Sequence, residues 1–280
     1  MHLDGAKYMI QKLMSDGGDY QPSTFVFTWY LYHEVLGCFT QPLRERTHNL
    51  DILASLAQLE CDTTEVSHPA TATTQFYPHP NVNQILGSLG CSIEVVEIIH
   101  RINQLRNTLG SDATPLRNLR QDLTQQRLHL DERLRNLSQR ISPSELPTAS
   151  PARQAAILAT AELYRLATAL YLHRVIPQPA DNPANFVEKA FAALEQLEVA
   201  TSPWPMFVIA CECRSEAHRV KVLRALDGMD MARRIGNVYS LRDLIEAYWT
   251  QRDLAADVGG GSQGKWWEFA SCDTAMPWFI

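Results

Sequence analysis

Leu116-Arg117-Asn118-Leu119-Arg120-Gln121-Asp122-Leu123 opens the run that decides the fold. Leu116, Leu119, Leu123, Leu130, Leu134, Leu137 and Ile141 recur at spacings of three, four and seven, so residues 115 to 141 are expected to form one long amphipathic helix. Outside the apolar stripe stand Arg117, Arg120, Arg127, Arg133, Arg135 and Arg140 with Asp122, Asp131 and Glu132. Interspersed acids and the lack of interleaved aromatics make this a solvated face, not a nucleic-acid surface.

Helical patterns continue in both directions. Upstream, Ser92 is expected to cap a helix with the stripe Ile93, Val96, Ile99, Ile102 and Leu105. Residues 25 to 39 (Phe-Val-Phe-Thr-Trp-Tyr-Leu-Tyr-His-Glu-Val-Leu-Gly-Cys-Phe) are apolar almost all round, as the central helix of a bundle would be. A short helix over 3–14 precedes it, stopped by Ser15-Asp16-Gly17-Gly18-Asp19, and a loop-rich stretch from Gln41 to about Val82, with a helix at Leu50 to Leu59, follows. Downstream, three prolines mark an inter-helix break at 142–151, and helices are expected over 152–175, 185–199, 205–213, 215–233 and 238–254. Gly259-Gly260-Gly261-Ser262 is a loop without the Lys-Ser/Thr of a phosphate cradle, and the Trp-rich tail 265–280 is expected to fold back as a lid. Strand signals and fixed-period repeats are lacking. The expectation is one all-α, multi-helix bundle over residues 1–280.

Composition bounds the function. The 280 residues are 45% hydrophobic and 20% charged, with net charge −6, so the surface as a whole does not attract phosphate. No run approaches the roughly 18 to 20 uninterrupted apolar residues of a bilayer span, and Asp4, Lys7 and Lys12 break the N-terminal segment, so an intracellular protein (cytoplasm or nucleus) with no membrane partner is expected. The six cysteines include no Cys-x-x-Cys, and Cys211-x-Cys213 alone defines no zinc site; neither metal nor cofactor is expected.

Ser202-Pro203-Trp204-Pro205-Met206-Phe207-Val208-Ile209-Ala210-Cys211-Glu212 resembles the "WPLFIAGCE" signature of the regulatory domain of fungal zinc-cluster transcription factors, in the second of its two helical types. Tyr164-Arg165-Leu166-Ala167 and Ala169-Leu170-Tyr171-Leu172 resemble its "YRxAALLYL" helix. Gly236-Asn237-Val238 with Trp249 and Arg252 is similar to its "GNV…W..R" ending. His2-Leu3-Asp4-Gly5-Ala6-Lys7 and Tyr32-His33-Glu34-Val35-Leu36 resemble "HLxGA(R/K)" and "YHDVL". The resemblance implies an all-helical regulatory or ligand-sensing part. The family's six-cysteine zinc module, beginning Cys-x-x-Cys-x6-Cys, has no counterpart here, so direct DNA binding is not expected.

Two sets of residues carry candidate chemistry. Tyr30 and Glu34, like Trp29 and His33, are four apart and share helix faces. An acid and an imidazole in so apolar a helix are either paired core groups or acid–base groups with shifted pKa values. Tyr164 and Tyr171 lie two turns apart, and with Trp204, Cys211 and Glu212 they form the candidate ligand site. Buried tyrosines satisfied internally, a hydrophobic Cys211 thiol, and a Glu212 paired with Arg165, Arg214 or Arg219 are the structural alternatives. Two functions follow: a small-molecule-binding (or protein-binding) regulatory domain, or a cofactor-independent isomerase or cyclase of secondary metabolism. The enzyme would close a ring by acid–base catalysis through His33, Glu34 and Tyr30.

Overall fold

In the computed structural model the described residues are 32–33, 35–36, 82–87, 89–109, 116–143, 146–233, 237–257 and 266. They contain β1 (Gln84–Leu86), β2 (Cys91–Ser92), α1 (Ile93–Leu109), α2 (Leu116–Asn136), β3 (Arg140–Ile141), α3 (Pro151–Val175), α4 (Pro183–Leu194), α5 (Pro203–Glu212), α6 (Glu216–Arg233) and α7 (Asn237–Asp257). Tyr32, His33, Val35 and Leu36 are helical as well. The fold is all-α with one small sheet. The helices expected over 3–14 and 50–59, the Gly259–Gly261 loop and most of the Trp-rich tail lie outside the described residues.

The centre of the bundle is α3, which packs against α1, α2, α4 and α5. Ser150 accepts a hydrogen bond from the Arg153 amide and Pro151 occupies the first turn, where no amide proton is needed, so its start is locally encoded. By length and composition α3 is apolar enough to cross a bilayer, yet 67% of its most apolar window is buried inside the protein. It is a core helix. Leu166, Ala167, Tyr171 and Leu172 are among its fully buried residues, and each large aliphatic side chain so buried stabilises the fold by roughly 1.5–3 kcal/mol.

Beside it, α5 is buried at every position. Ser202 is the residue before the helix and Pro203 its first residue, so Pro205, expected at the first position, stands third. A first-turn proline is tolerated there for the same reason, since these amides lack helical acceptors.

The end of α2 departs from the leucine periodicity. The helix stops at Asn136 and Arg140–Ile141 leave it to become β3. Ile141 pairs with Ile85 of β1 in parallel register, while β1 pairs antiparallel with β2 across a tight turn. Gly90 takes φ +76° in that turn, and a Cβ there would lie 3.1 Å from Thr160 Cγ2. Gln139 pins the exit: its Oε1 accepts from the Ser92 amide at 2.9 Å and its Nε2 donates to the Ala161 carbonyl at 2.6 Å. Ile85, Ile141 and Ala161 then form a small core of their own.

The arginine-rich face of α2 is less solvated than the alternating charges imply. Arg127 is buried and pairs with Asp181, and Arg133 reaches Glu97 on α1 at 2.7 Å. Likewise α1 buries more than a narrow stripe, because Val95 and Ile98 are sealed along with Val96, Ile99 and Ile102.

Candidate functional site

Tyr164, Tyr171 and Trp204 come together in the core. Seven residues is nearly two turns of helix, which places both tyrosines on the face of α3 that meets α5. Trp204 stacks on Tyr164, with centroids 6.0 Å apart and planes within 10°, and meets Tyr171 edge-on at 6.4 Å. Both phenols have internal partners. Tyr164 shares a short hydrogen bond with the Tyr32 hydroxyl. Tyr171 donates to Asn103 Oδ1 at 2.7 Å, and Asn103 Nδ2 donates onward to the Val35 carbonyl at 2.9 Å. Burial pushes the Tyr32 and Tyr164 phenols well above their ordinary value, so both stay protonated at neutral pH.

His33 is buried beside this cluster, with its ring 5.4 Å from that of Tyr32. Desolvation lowers its pKa to about 4, which keeps the imidazole neutral at physiological pH. Trp29, Tyr30 and Glu34 lie outside the described residues.

Cys211 is fully buried, and that burial raises its thiol pKa far beyond the ordinary range, the opposite of an activated nucleophile. Its carbonyl accepts from Arg252 at 3.0 Å, and the same guanidinium reaches the Cys213 carbonyl. Arg252 thereby answers carbonyls that the end of α5 leaves without helical donors.

Glu212 pairs with Arg174, not with Arg165, Arg214 or Arg219. The Nε and a terminal nitrogen of Arg174 each donate to one carboxylate oxygen at 2.7 Å. Arg165 and Arg219 are engaged by Glu162 and Asp253. The reason is geometric: Arg174 lies at the end of α3, where α5 also ends, and Arg165 is about 13 Å back along the helix. Burial opposes charge on Arg174, but the Glu212 carboxylate outweighs it and holds the guanidinium above its ordinary pKa. Trp266 adds a third donor to Glu212, from Nε1 to Oε1 at 3.1 Å, while its ring packs against Tyr171 and Phe207.

Beyond this ion pair a cleft of about 1010 Å³ opens where α3 and α5 end and α4 and α6 begin. Leu170, Val175 and Val187 supply apolar wall, and Arg174, Glu212, His173, Asp181, Arg214 and His218 supply the polar groups. His173 is nine-tenths buried between two carboxylates, with Nε2 3.5 Å from Asp131 and Nδ1 3.7 Å from Asp181. Burial opposes charge on Asp131, but Arg135 and His173 prevail and hold its carboxyl below the usual aspartate value. His218 lies 3.3 Å from Glu188 and stacks on Phe191.

Of the described residues expected at a site, Glu212 alone borders this cleft; Tyr164, Tyr171 and Trp204 fill the core behind it. Sequence reasoning placed His173 with Tyr164 and Tyr171 on the central helix but missed Asn103, Arg174 and Asp181. A polar Asn103 in the apolar stripe of α1 and the adjacent His173-Arg174 pair closing an apolar helix were the available signals.

The profile of the fungal-specific transcription factor domain matches residues 1–279. One similar curated protein is Transcription factor iacI of Pestalotiopsis fici, 33% identical over 97 residues, which is 34% of this chain and 25% of that protein. The match thus spans about a quarter of its length. No solved structure matches the chain.

Proposed function

Because the chain belongs to the fungal-specific transcription factor domain family, we propose that it is a regulatory domain that binds a small molecule in the cleft at the ends of α3, α4, α5 and α6. Within these 280 residues there is no Cys-x-x-Cys of a zinc cluster. It would work inside the cell, in the nucleus or cytoplasm.

One observation carries this reading. The cleft has the size of a site for a drug-sized ligand, and its polar wall is wired to the core. A ligand touching Glu212 is one hydrogen bond from Trp266, and one touching Arg174 is two, and through Trp266 either reaches the Tyr171–Trp204 aromatic pair. Occupancy could thus bias the packing of helices that no ligand touches, which is what a sensor requires. The aromatic core is a poorer candidate for the ligand, since its hydroxyls already have partners. Of the ring-closing enzyme's residues only His33 lies among the described ones, so the regulatory reading rests on the family and the cleft.

The test is mass spectrometry of compounds retained by the purified chain from a metabolite extract of its source. Ala184→Trp is the control, because Ala184 is an exposed cleft residue in the first turn of α4 where a bulky group fits without disturbing the core. One unchanged compound retained per chain and lost in Ala184→Trp is expected. A compound converted over many turnovers, or retained equally by the variant, would refute the reading.

A further inference from the structure

Trp266 is sealed in the core although it lies beyond the end of α7 at Asp257. Its ring packs between α3 and α5, with centroids 5.5 Å from Tyr171 and 5.8 Å from Phe207. Its indole Nε1 donates to Glu212 Oε1 at 3.1 Å, and the same oxygen accepts from Arg174 Nε at 2.7 Å. The second carboxylate oxygen accepts from a terminal nitrogen of Arg174. One oxygen therefore serves both a cleft-lining arginine and the side chain that docks the segment after α7. An indole N–H donates and cannot accept, so a buried carboxylate is a strong partner for it.

We infer that Trp266 is a latch set from the cleft wall: the Glu212 carboxylate, which borders the cleft, sets how firmly the segment after α7 docks on the bundle. Its regulatory meaning rests on the reading of the cleft as the ligand site. On that reading, a ligand that engages Glu212 competes with Trp266 for the same oxygen, and docking of the segment is the response to occupancy. The contacts with Tyr171 and Phe207 remain when the carboxylate is lost, so the segment is loosened, not expelled. A hydrogen bond to a charged group shifts such an equilibrium by about ten- to hundredfold.

The Lys265–Trp266 peptide bond offers a direct readout. Trypsin cuts after lysine and must draw residues on both sides of the bond into its own cleft, so cutting requires Trp266 to leave the core. Cleavage of the whole chain is followed by mass spectrometry of the fragment 266–280, at trypsin levels where the rate tracks the open population. Arg174→Met combined with Glu212→Leu removes the acceptor and leaves no unpaired charge, and is expected to be cut there about tenfold faster than the unmodified chain. Arg174→Met alone keeps the acceptor and is expected to be cut at close to the original rate, although it is the less stable of the two. Trp266→Phe keeps a ring and loses the donor; it is expected to be cut faster as well, and decides the matter if the double variant does not fold. Equal rates in the unmodified chain and the variants lacking the acceptor or the donor would overturn the inference. So would an Arg174→Met variant cut faster than the double variant. If the rates follow the expected order but Ala184→Trp retains the same compounds as the unmodified chain, the latch stands and the cleft reading falls. If retention depends on Ala184 but the rates do not follow that order, the latch is wrong and the cleft reading stands.

Discussion

Glu212→Gln is the perturbation that most sharply probes how the cleft is joined to the core. The carboxylate accepts two hydrogen bonds from Arg174 and one from Trp266. An amide is nearly isosteric but replaces one acceptor oxygen by a donor that faces the guanidinium, and it removes the charge. Arg174 then remains in a site where its side chain is only 13% exposed, without its counter-ion. Breaking one half of a fully buried pair costs about 3–5 kcal/mol. Residual water access at the cleft reduces this to about 2–3 kcal/mol. For a chain of this size that is a fall in Tm of roughly 5–8 °C, read by calorimetry or urea unfolding. Arg174→Met combined with Glu212→Leu removes both charges and is expected to be more stable than either single variant. A double-mutant cycle isolates the pair. A coupling below about 0.5 kcal/mol would show that Glu212 and Arg174 behave as an exposed pair, and the proposed wiring would be wrong.

Three further outcomes follow from the same geometry. Tyr164→Phe orphans the Tyr32 hydroxyl and is expected to cost about 1–2 kcal/mol, whereas Tyr32→Phe leaves Tyr164 its Ser202 partner and is expected to cost less, with the double variant costing less than their sum in urea titrations. His33 has a folded-state pKa near 4 against 6.5 when exposed. The unfolded chain therefore takes up the proton first, and stability drains away as pH falls from about 6.5 toward about 4. That contribution reaches roughly 2–3 kcal/mol, and a His33→Gln variant should show a correspondingly shallower loss in stability measured against pH. Gly90→Ala places a methyl group against Thr160, Ser202 and Tyr164 at a positive φ; a loss of about 1–2 kcal/mol in thermal unfolding is expected.

What could be read from the chain was what is encoded locally. The leucine spacing of α2 and the proline at the start of α3 depend on neighbours within a turn, and the beginnings of those helices stand within a residue of where the pattern puts them, whereas α5 begins two residues earlier, at Pro203. The end of α2 was not legible, because Ile141 leaves the helix for Ile85, and Gln139 holds the exit through Ser92 and Ala161, all distant in sequence. The site divides the same way. Tyr164 and Tyr171 share a face by helical arithmetic alone, so their meeting with Trp204 could be anticipated. Which of several arginines Glu212 takes depends on how far α3 runs past α5, and no periodicity records that. The cleft itself was invisible, since it is built from four helix ends, where patterns stop.

A crystal structure of the chain with the compound it retains would test the central claim most directly. Density is predicted between the ends of α3 and α5 and the starts of α4 and α6, with the Tyr164–Trp204 stack undisturbed behind it. A ligand lodged among Tyr32, Tyr164 and Tyr171, with those hydroxyls turned to it and the cleft empty, would contradict the account.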